Sequence, residues 1–491
     1  MMQVLSVAAE AYPLVKTGGL GDVAGALPGA LAGNGVMVTT LLPGYPVVRE
    51  HIAGAPLVHH YANLMGAEAR ILASHINGHP LLVLDAPTLF LRDGGIYGDR
   101  AGVDWPDNWR RFAALGRAAA DLASGAVPNW RFDLLHAHDW HAGLAPAYLR
   151  YAPGPGPAAP SLITIHNIAF QGRFDVSIVP FLGFPPSAYS IDGIEYFGGV
   201  GFLKAGLASA NAITAVSPGY AREIQEPAFG MGLEGLIRSR APDVFGILNG
   251  IDPEVWNPRT DPTLAARYDG QTLTARRANK RAIEGGFGLT RGEGPLFAVI
   301  SRLSLQKGMD VLADQIDTLV SLGARLALLG TGEPALEEKF RTAALRHPGK
   351  VAVALGYNEK LSHLLQGGAD AILIPSRFEP CGLTQLYGLT YGCVPVAART
   401  GGLGDTIIDA NEAALAQGVA TGILFDDVTS DGLAHALQRA VSLYARPDIW
   451  SSIQAQGMRA DLSWRQSGAR YAELYARLVG SRGPTPASQR A

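Results

Sequence analysis

A basic residue followed by two glycines occurs twice in the chain, each time directly before a helix-like pattern. The first copy is K-T-G-G-L-G-D, which starts at Lys16, and the second is R-T-G-G-L-G-D, which starts at Arg399. Glycines let backbone N–H groups approach phosphate oxygens, and the dipole of a following helix favours negative charge. Lys16 with Gly18 and Gly19 therefore indicates a phosphate site. The alternative for Lys16 alone is a solvated lysine before a helix, since short glycine patterns are weak signals.

Two further cations, Arg302 and Lys307, lie in S-R-L-S-L-Q-K-G after an apolar run that begins at Leu296. Together with Lys16 they could balance the charge of a pyrophosphate without a metal ion. The sequence has no Asp-x-Asp, the pattern that would indicate a magnesium-bound sugar nucleotide. A surface salt bridge is the alternative role for Arg302 and Lys307.

A cluster of histidines in H-A-H-D-W-H, which begins at His136, is one pattern that could indicate a metal-binding site. His136 and His138 would share one face of a strand, but a zinc site needs a third or fourth ligand and partners that orient them. A site for sugar hydroxyls, with Asp139 as an acceptor, is favoured over a metal. His136 itself is predicted to be a core histidine with its hydrogen bonds satisfied, and His166 follows the next predicted strand in T-I-H-N.

A carboxylate and a turn occur together in R-F-E-P-C-G-L-T-Q. Glu379 could hold sugar hydroxyls or stabilise a cationic sugar carbon, and its alternative role is to complement the dipole of the following helix. Cys381 is predicted to be a small buried residue rather than a nucleophile, because no base is adjacent in sequence. Tyr357, after Gly356, could stack on a nucleotide base or pack in the core.

Composition excludes several classes of function. The chain has 491 residues, 48% of hydrophobic type, and a formal net charge of −3, so no global basic field favours nucleic acid or an acidic membrane. Two cysteines are too few for a disulfide framework and fit a reducing cytoplasm. We find no basic signal-peptide start and no apolar run long enough to span a membrane. The sequence therefore predicts a cytoplasmic protein.

Short apolar runs alternate with longer helix-like patterns along the chain. Examples are V-L-S-V-A from Val4, F-D-L-L-H-A-H from Phe132 and A-I-L-I-P-S from Ala371. Near-continuous apolar runs are typical of parallel strands covered on both faces, and their alternation with helices predicts an α/β fold. Ligands bind beyond the carboxyl ends of such strands, where the candidate residues lie.

Two sets of these strands predict two domains. The proline-containing stretch N-G-I-D-P-E-V-W-N-P-R-T-D-P predicts a linker between them. We place the N-terminal domain at 1–248, the linker at 249–274 and the C-terminal domain at 275–457. A final helix is predicted within 458–480, and a frayed tail at 481–491.

The motifs together resemble those of the bacterial glycogen synthase and plant starch synthase family, in order from about Val4 to Trp464. The matching segments are K-T-G-G-L-G-D-V-A-G-A-L-P, H-A-H-D-W, T-I-H-N, F-G-I-L-N-G-I-D, S-R-L-S-L-Q-K-G, P-S-R-F-E-P-C-G-L-T-Q-L-Y-G-L and R-T-G-G-L-G-D-T. The resemblance implies the GT-B fold, in which two Rossmann-like domains with mainly parallel sheets face a deep interdomain cleft. It also implies that the C-terminal helix crosses back to the first domain.

The same resemblance implies a reaction. Members of the family transfer glucose from ADP-glucose to the non-reducing end of an α-1,4-glucan such as glycogen, with retention of anomeric configuration and release of ADP. No essential metal and no other cofactor is expected, and neither nucleic acid nor a membrane is expected as a partner.

The roles of individual residues are also carried over from the resemblance. Asp139 and His166 match residues that face the transferred sugar, Arg302 and Lys307 match the pair that holds the distal phosphate, and Glu379 matches the acid that positions the glucosyl group. The expected donor-binding residues are Lys16, Gly18, Gly19, Asn249, Tyr357, Cys381, Gly382, Leu383 and Thr384. One departure is Gly21, where the family usually has alanine; by helix propensity it costs up to about 1 kcal/mol.

Four alternative functions fit the sequence less well. A GT-B transferase that uses a UDP-sugar, such as a sucrose synthase, would share the fold. An NAD-dependent oxidoreductase would need G-x-G-x-x-G directly after the first strand, which is not present. A non-catalytic glucan-binding protein would not need Arg302, Lys307 and Glu379 together. A glycogen phosphorylase would need a lysine-bound pyridoxal phosphate and a much longer chain.

Overall fold

The computed structural model describes residues 1–480, and the chain divides into two compact units. Unit 1 comprises Met1–Val216, Ala221–Leu248 and the described residues from Trp464 to 480, and unit 2 comprises Ser217–Tyr220 and Asn249–Ser463. The predicted tail at 481–491 lies outside the described residues.

Unit 1 is built on a nine-stranded sheet with the order β12-β11-β7-β6-β1-β2-β5-β4-β3 and a small antiparallel sheet with the order β8-β10-β9. The strands are β1 (Met2–Val7), β2 (Val36–Pro43), β3 (Leu57–Leu64), β4 (Ala67–Ile76), β5 (His79–Asp85), β6 (Leu134–His138), β7 (Ser161–Ile165), β8 (Arg173–Phe174), β9 (Glu195–Tyr196), β10 (Gly199–Gly201), β11 (Ala212–Ala215) and β12 (Val244–Gly246).

Parallel pairing connects β12 through to β5, and only the edge formed by β5, β4 and β3 is antiparallel. The central strands β6 and β7 are buried along their whole length, as their apolar sequences predict. In contrast, β4 alternates buried and exposed residues at its start, which is typical of a strand with one solvated face. The sequence analysis did not identify β3 or β4.

The helices of unit 1 cover this sheet. Those that precede unit 2 are α1 (Gly19–Ala32), α2 (Pro46–His51), α3 (Pro87–Phe90), α4 (Asn108–Ala123), α5 (Asp139–Ala142), α6 (Leu144–Tyr151), α7 (Phe202–Ser209), α8 (Pro218–Glu223, whose first three residues belong to unit 2) and α9 (Glu234–Ser239), with 3₁₀ turns at Val176–Phe181, Pro186–Ala188 and Ala241–Asp243.

Unit 2 contains a six-stranded sheet with the order β15-β14-β13-β16-β17-β18, and every pair in it is parallel. Its strands are β13 (Leu296–Ile300), β14 (Arg325–Gly330), β15 (Val351–Leu355), β16 (Ala371–Ile374), β17 (Val394–Ala398) and β18 (Ile423–Phe425). Its helices are α10 (Arg276–Phe287), α11 (Met309–Asp314), α12 (Ile316–Ser321), α13 (Pro334–Arg346), α14 (Glu359–Gly368), α15 (Thr384–Tyr391), α16 (Gly401–Thr406), α17 (Glu412–Ala416), α18 (Ser430–Tyr444) and α19 (Pro447–Met458), with a 3₁₀ turn at Leu273–Ala275.

The last described helix, α20 (Trp464–Gly480), packs against α1 in unit 1. Its buried face joins a core that includes Leu27 and Leu31 of α1. Tyr475 of α20 also forms a buried hydrogen bond of 2.7 Å through its hydroxyl to Nδ1 of His136. The helix was predicted within 458–480, and in the structure the segment before Trp464 belongs to unit 2.

The segment at 249–274, predicted as a linker, lies within unit 2 and packs there. Trp256 is 9% exposed, and its ring stacks on those of His363 and Tyr387, with centroid distances of 3.9 and 3.6 Å. The carboxylate of Asp261 accepts hydrogen bonds from Nδ1 of His363 at 2.7 Å and from the hydroxyl of Tyr391 at 2.6 Å. The prolines of the segment thus mark irregular structure that is anchored to α14 and α15.

Within residues 1–480, no helix combines the length and the apolar character that crossing a membrane requires.

Candidate active site

The loop between β1 and α1 is organised by one buried acid, Glu10, which is 3% exposed. Its Oε2 accepts hydrogen bonds from the backbone N–H groups of Thr17 and Gly18, at 2.6 and 3.3 Å. Its Oε1 accepts from the hydroxyls of Thr17 and Tyr97, at 2.6 and 2.5 Å. A buried carboxylate is stable only when it is paired in this way, so Glu10 fixes the shape of the K-T-G-G loop. The sequence analysis did not assign Glu10 a role, although a charged residue three positions after a buried strand is a signal for such a role.

Lys16 lies in this loop, and its Nζ is 2.7 Å from Oδ1 of Asp22, with side chains 28% and 24% exposed. Gly18 is extended, and a Cβ built on it would meet no heavy atom within 4 Å. The backbone N–H of Gly18 donates to Glu10, and that of Gly21 donates to the carbonyl of Gly18 at 3.2 Å. The N–H groups of Gly19 and Leu20 therefore precede the first hydrogen bond of α1.

The glycines further along α1 have tight surroundings. A Cβ on Gly25 would lie 2.4 Å from the carbonyl oxygen of Tyr12, so the loop packs directly on the helix at this point. A Cβ on Gly21 would lie 3.2 Å from Oε2 of Glu10. Position 21 therefore affects the position of the Glu10 carboxylate as well as helix propensity, which was the only effect considered from the sequence.

Asp139 and His166 are brought together at the ends of the adjacent strands β6 and β7. Asp139 has a φ of +54° and is 5% exposed, and its Oδ1 accepts from the backbone N–H of His166 at 2.7 Å and of Asn167 at 3.4 Å. Burial raises the pKa of Asp139 to about 7; the two N–H groups oppose this shift, and the nearby Glu10 carboxylate adds to it. With this pKa, both the protonated and the ionised form of the carboxyl group are populated near neutral pH.

The imidazoles of this region are buried and neutral. Burial lowers the pKa of His138 to about 3 and the pKa of His166 well below its usual value. His136 is fully buried, and its Nδ1 and Nε2 bond to the hydroxyls of Tyr475 and Thr164. The prediction that His136 is a satisfied core histidine is confirmed. Among residues 1–480, no group of three or more His, Cys, Asp or Glu side chains is arranged to hold a metal ion.

In unit 2, Lys307 and Glu379 form an ion pair at the ends of the neighbouring strands β13 and β16. Nζ of Lys307 is 2.8 and 2.6 Å from the two carboxylate oxygens, and the hydroxyl of Ser376 donates to Oε2 of Glu379 at 2.8 Å. The side chains are only 17% and 10% exposed. The salt bridge that the sequence analysis considered as an alternative role for Lys307 does exist, but the partner of Lys307 is Glu379, which is itself a candidate residue of the site.

Arg302 differs from the other arginines near it. It is exposed, and its side chain forms no hydrogen bond or ion pair with any residue in 1–480. Arg377 is held by two bonds of 2.7 Å to Asp310, and Arg399 donates to Asp426 at 2.7 Å. The guanidinium of Arg302 is therefore available to an anionic ligand.

The turn before α15 contains three candidate residues and the helix begins with a fourth, and Gly382 in the turn has a φ of +71°, which favours glycine. Leu383 and Thr384 begin the helix. Burial raises the pKa of the Cys381 thiol to about 12, against the effect of the backbone N–H of Asn249. Cys381 is therefore protonated at neutral pH, as expected for a residue that is not a nucleophile. The side-chain oxygen of Asn249 is buried and has no hydrogen-bond partner within residues 1–480.

The second glycine pair has different surroundings from the first. A Cβ on Gly401 would lie 2.1 Å from the carbonyl oxygen of Glu379, and a Cβ on Gly402 would lie 2.1 Å from that of Cys381. The N–H of Gly402 also donates to the carbonyl of Glu379 at 3.1 Å. These glycines allow α16 to pack on the turn that contains Glu379, whereas Gly18 faces open space.

Tyr357 follows β15 and is 76% exposed, with its hydroxyl 2.9 Å from Oε2 of Glu359. The alternative that it packs in the core is wrong. Most of the residue is exposed to solvent, and stacking of its ring on a base stays a prediction.

Two family models match the chain. The starch synthase catalytic domain matches residues 3–239, and the glycosyl transferases group 1 model matches residues 287–455. A glycogen synthase of Novosphingobium aromaticivorans is 60% identical over 479 residues, which cover 97% of this chain and 99% of the relative. Glycogen synthase 1 of Rhizobium meliloti is 56% identical over 479 residues, with coverages of 97% and 99%.

Solved structures agree with these matches. The catalytic domain of starch synthase IV from Arabidopsis thaliana, bound to ADP and acarbose, superposes with a TM-score of 0.87 at 30% identity and covers 98% of this chain and 99% of that one. A sucrose-phosphate synthase from Thermosynechococcus elongatus, with a TM-score of 0.60 at 17% identity over 98% of this chain and 100% of that one, shares the fold.

Two α/β units with mainly parallel sheets and these matches define a glycosyltransferase of the GT-B class, as the sequence predicts. Within that class, the chain belongs to the starch synthase and glycogen synthase family.

We expect Asp139 to make stability depend on pH. Because its pKa in the folded protein, about 7, lies above the ordinary value, the stabilisation from the protonated form is complete below about pH 4 and is lost as the pH rises through 7. Asp139→Asn keeps the acceptor oxygen but does not ionise. The melting temperature of the wild type should therefore fall, relative to that of Asp139→Asn, between about pH 4 and pH 8. Parallel melting curves across this range would contradict the raised pKa.

We expect the two glycine pairs to respond differently to alanine. Gly402→Ala places a Cβ against backbone and should lower the melting temperature by roughly 5 °C or more. Gly18→Ala, the matched control, should change it by less than about 3 °C, because the added methyl group meets open space. Calorimetric scans of both variants check this; equal losses would refute the distinction.

Proposed function

We propose that the protein transfers glucose from ADP-glucose to the non-reducing end of an α-1,4-glucan such as glycogen, with retention of configuration and release of ADP. The relatives named glycogen synthase and the starch synthase structure bound to ADP and acarbose support this donor and acceptor. The observation that carries the proposal is the nearly buried Lys307–Glu379 pair, together with the unpaired guanidinium of Arg302 in the same segment between β13 and α11.

Charge changes during the reaction explain this arrangement. When the bond between the sugar and the phosphate breaks, negative charge grows on ADP and positive charge grows on the anomeric carbon. Lys307 and Arg302 offset the charge on the departing phosphate. Glu379 holds the ammonium group of Lys307 by both carboxylate oxygens, so the cation is already oriented and little reorganisation is needed in the transition state. These cations take the role that a metal ion has in other transferases, and no essential metal or other cofactor is needed.

Glu379 also positions the glucosyl group. Its carboxylate is nearly buried and is shared with Lys307 and Ser376, which fixes its orientation toward sugar hydroxyls. It is not proposed as a nucleophile. Retention follows from attack of the acceptor hydroxyl on the same face from which ADP departs.

Unit 1 supplies residues for the donor and for the sugar. Lys16 adds positive charge for the pyrophosphate, and the loop held by Glu10, with Gly18 and Gly19, lets the phosphate approach the start of α1. Asp139 and His166 bind hydroxyls of the transferred glucose. His166 suits this role because burial keeps its ring neutral, so it binds a hydroxyl without attracting a competing anion.

The remaining donor contacts come from unit 2. Tyr357 stacks on the adenine, and the side-chain oxygen of Asn249 accepts a hydrogen bond from the donor. The turn before α15 contacts the phosphate through Cys381, Gly382, Leu383 and Thr384. We place the reaction in the cytoplasm, consistent with two cysteines that are both free thiols.

Incorporation of radiolabelled glucose into glycogen, from ADP-glucose and UDP-glucose side by side and with a chelator present, tests the proposal. We expect strong incorporation from ADP-glucose alone. Preference for UDP-glucose would overturn the donor and leave a glycosyltransferase of another specificity. Loss of incorporation on chelation would overturn metal independence.

Arginine variants test the role of the free cation. Arg302→Ala should lower kcat/KM by about 100-fold or more, because it removes a charge aimed at the leaving phosphate. Its melting temperature should stay unchanged, since the side chain of Arg302 has no partner within residues 1–480. Arg399→Ala, which removes an exposed ion pair to Asp426, is the matched control and should keep kcat/KM within about threefold. Equal effects of the two substitutions would refute a specific role for Arg302.

A further inference from the structure

Three polar side chains form a continuous hydrogen-bonded chain across the strands of unit 1. Oγ of Ser6 in β1 is 3.1 Å from Nε2 of His138 in β6, and Nδ1 of His138 is 3.0 Å from Nε2 of His166, just after β7. Because β1, β6 and β7 are adjacent in the sheet, this series of hydrogen bonds runs from the centre of the sheet to the carboxyl ends of the strands. Ser6 is 1% exposed, His138 is fully buried and His166 is 9% exposed.

Both imidazoles in this chain are neutral, because burial lowers the pKa of each. A neutral imidazole has one N–H donor and one acceptor nitrogen. The single proton between His138 and His166 therefore belongs to one of them, and the choice determines the tautomer of both rings.

Two arrangements satisfy the contact between the rings. In the first, the Ser6 hydroxyl donates to Nε2 of His138, Nδ1–H of His138 donates to Nε2 of His166, and the proton of His166 is on Nδ1. In the second, every bond is reversed: Nε2–H of His166 donates to His138, and Nε2–H of His138 donates to Ser6. The hydroxyl proton of Ser6 then needs another acceptor.

The hydrogen-bonding needs of the Ser6 hydroxyl favour the first arrangement. Its hydroxyl has no hydrogen-bond partner other than His138 within residues 1–480. In the second arrangement a buried O–H would be left without an acceptor, which costs the desolvation of that group. In the first arrangement the unpaired donor is instead the Nδ1–H of His166, which has no partner within the described residues but belongs to a residue that is 9% exposed, whereas Ser6 is 1% exposed.

We propose that Ser6 and His138 are positioning residues that fix the tautomer of His166, so that its Nδ1–H donates a hydrogen bond to a hydroxyl oxygen of the transferred sugar. The proposal rests on the proposed function for the identity of the ligand, whereas the tautomer itself does not depend on it. Such a site discriminates among sugars at one hydroxyl, because a sugar without that oxygen leaves a nearly buried donor unpaired.

Long-range ¹H–¹⁵N spectra of the full chain, labelled with ¹⁵N-histidine, measure the tautomer directly. The resonances of His166 are assigned with the variant His166→Gln. We expect the Nδ1–H tautomer at His166, although an unconstrained neutral histidine in water prefers Nε2–H. Observation of the Nε2–H tautomer would overturn the proposal.

Variants of Ser6 separate the tautomer from packing. In Ser6→Ala, either arrangement leaves one ring atom of His138 unpaired, so the preference weakens, and we expect both tautomers of His166 in the spectrum. Ser6→Thr retains the hydroxyl and should retain the single tautomer. If Ser6→Ala kept the same single tautomer, Ser6 would have no role in fixing the tautomer of His166.

Activity gives a second readout. The amide nitrogen of asparagine occupies roughly the position of Nδ1, whereas that of glutamine is closer to Nε2. We therefore expect His166→Asn to keep a kcat/KM about tenfold higher than that of His166→Gln with ADP-glucose. The reverse order would overturn the donor role of Nδ1. If the wild type transfers no glucose, the proposed function fails, while the spectra still decide the tautomer.

Discussion

A carboxylate removed from water must be paired, and this constraint shapes the candidate site in each unit. Glu10 is paired with two backbone N–H groups and two hydroxyls, and Glu379 with the ammonium of Lys307 and the hydroxyl of Ser376. Each acid would cost several kcal/mol to bury alone. The hydrogen-bond partners of each carboxylate lie in loops from different parts of the same unit. Pairing the carboxylate therefore also holds those loops in place relative to the sheet of that unit.

Close backbone contact is the second means by which the loops are fixed. Gly25 brings α1 against the loop at Tyr12, and Gly402 brings α16 against the turn at Cys381. Neither contact leaves room for a side chain. The abundance of glycine near strand ends therefore has two physical causes, backbone packing and access for a ligand, and the spacing of glycines in the sequence does not distinguish them.

Much of the fold is predictable because buried parallel strands have a local signature. The near-continuous apolar runs correctly identify strands such as β6 and β13, and the carboxyl-end rule places candidate residues on neighbouring strands. The hairpin of β3 and β4 is less apolar and was missed. Pairings such as Lys307 with Glu379 join residues far apart in sequence, and no local pattern predicts the partner. The roles of Ser6 and Glu10 depend on such long-range contacts.

The position of α20 has a consequence for the order of folding during synthesis. Unit 1 contains residues from both ends of the described chain, and the buried bond between Tyr475 and His136 joins residues 339 positions apart. Its core against α1 cannot close until the ribosome has released α20. Unit 2 is almost contiguous and is complete earlier. The apolar residues of α1 that α20 covers therefore stay exposed while all of unit 2 is translated, and exposed apolar surface of this kind is what chaperones bind.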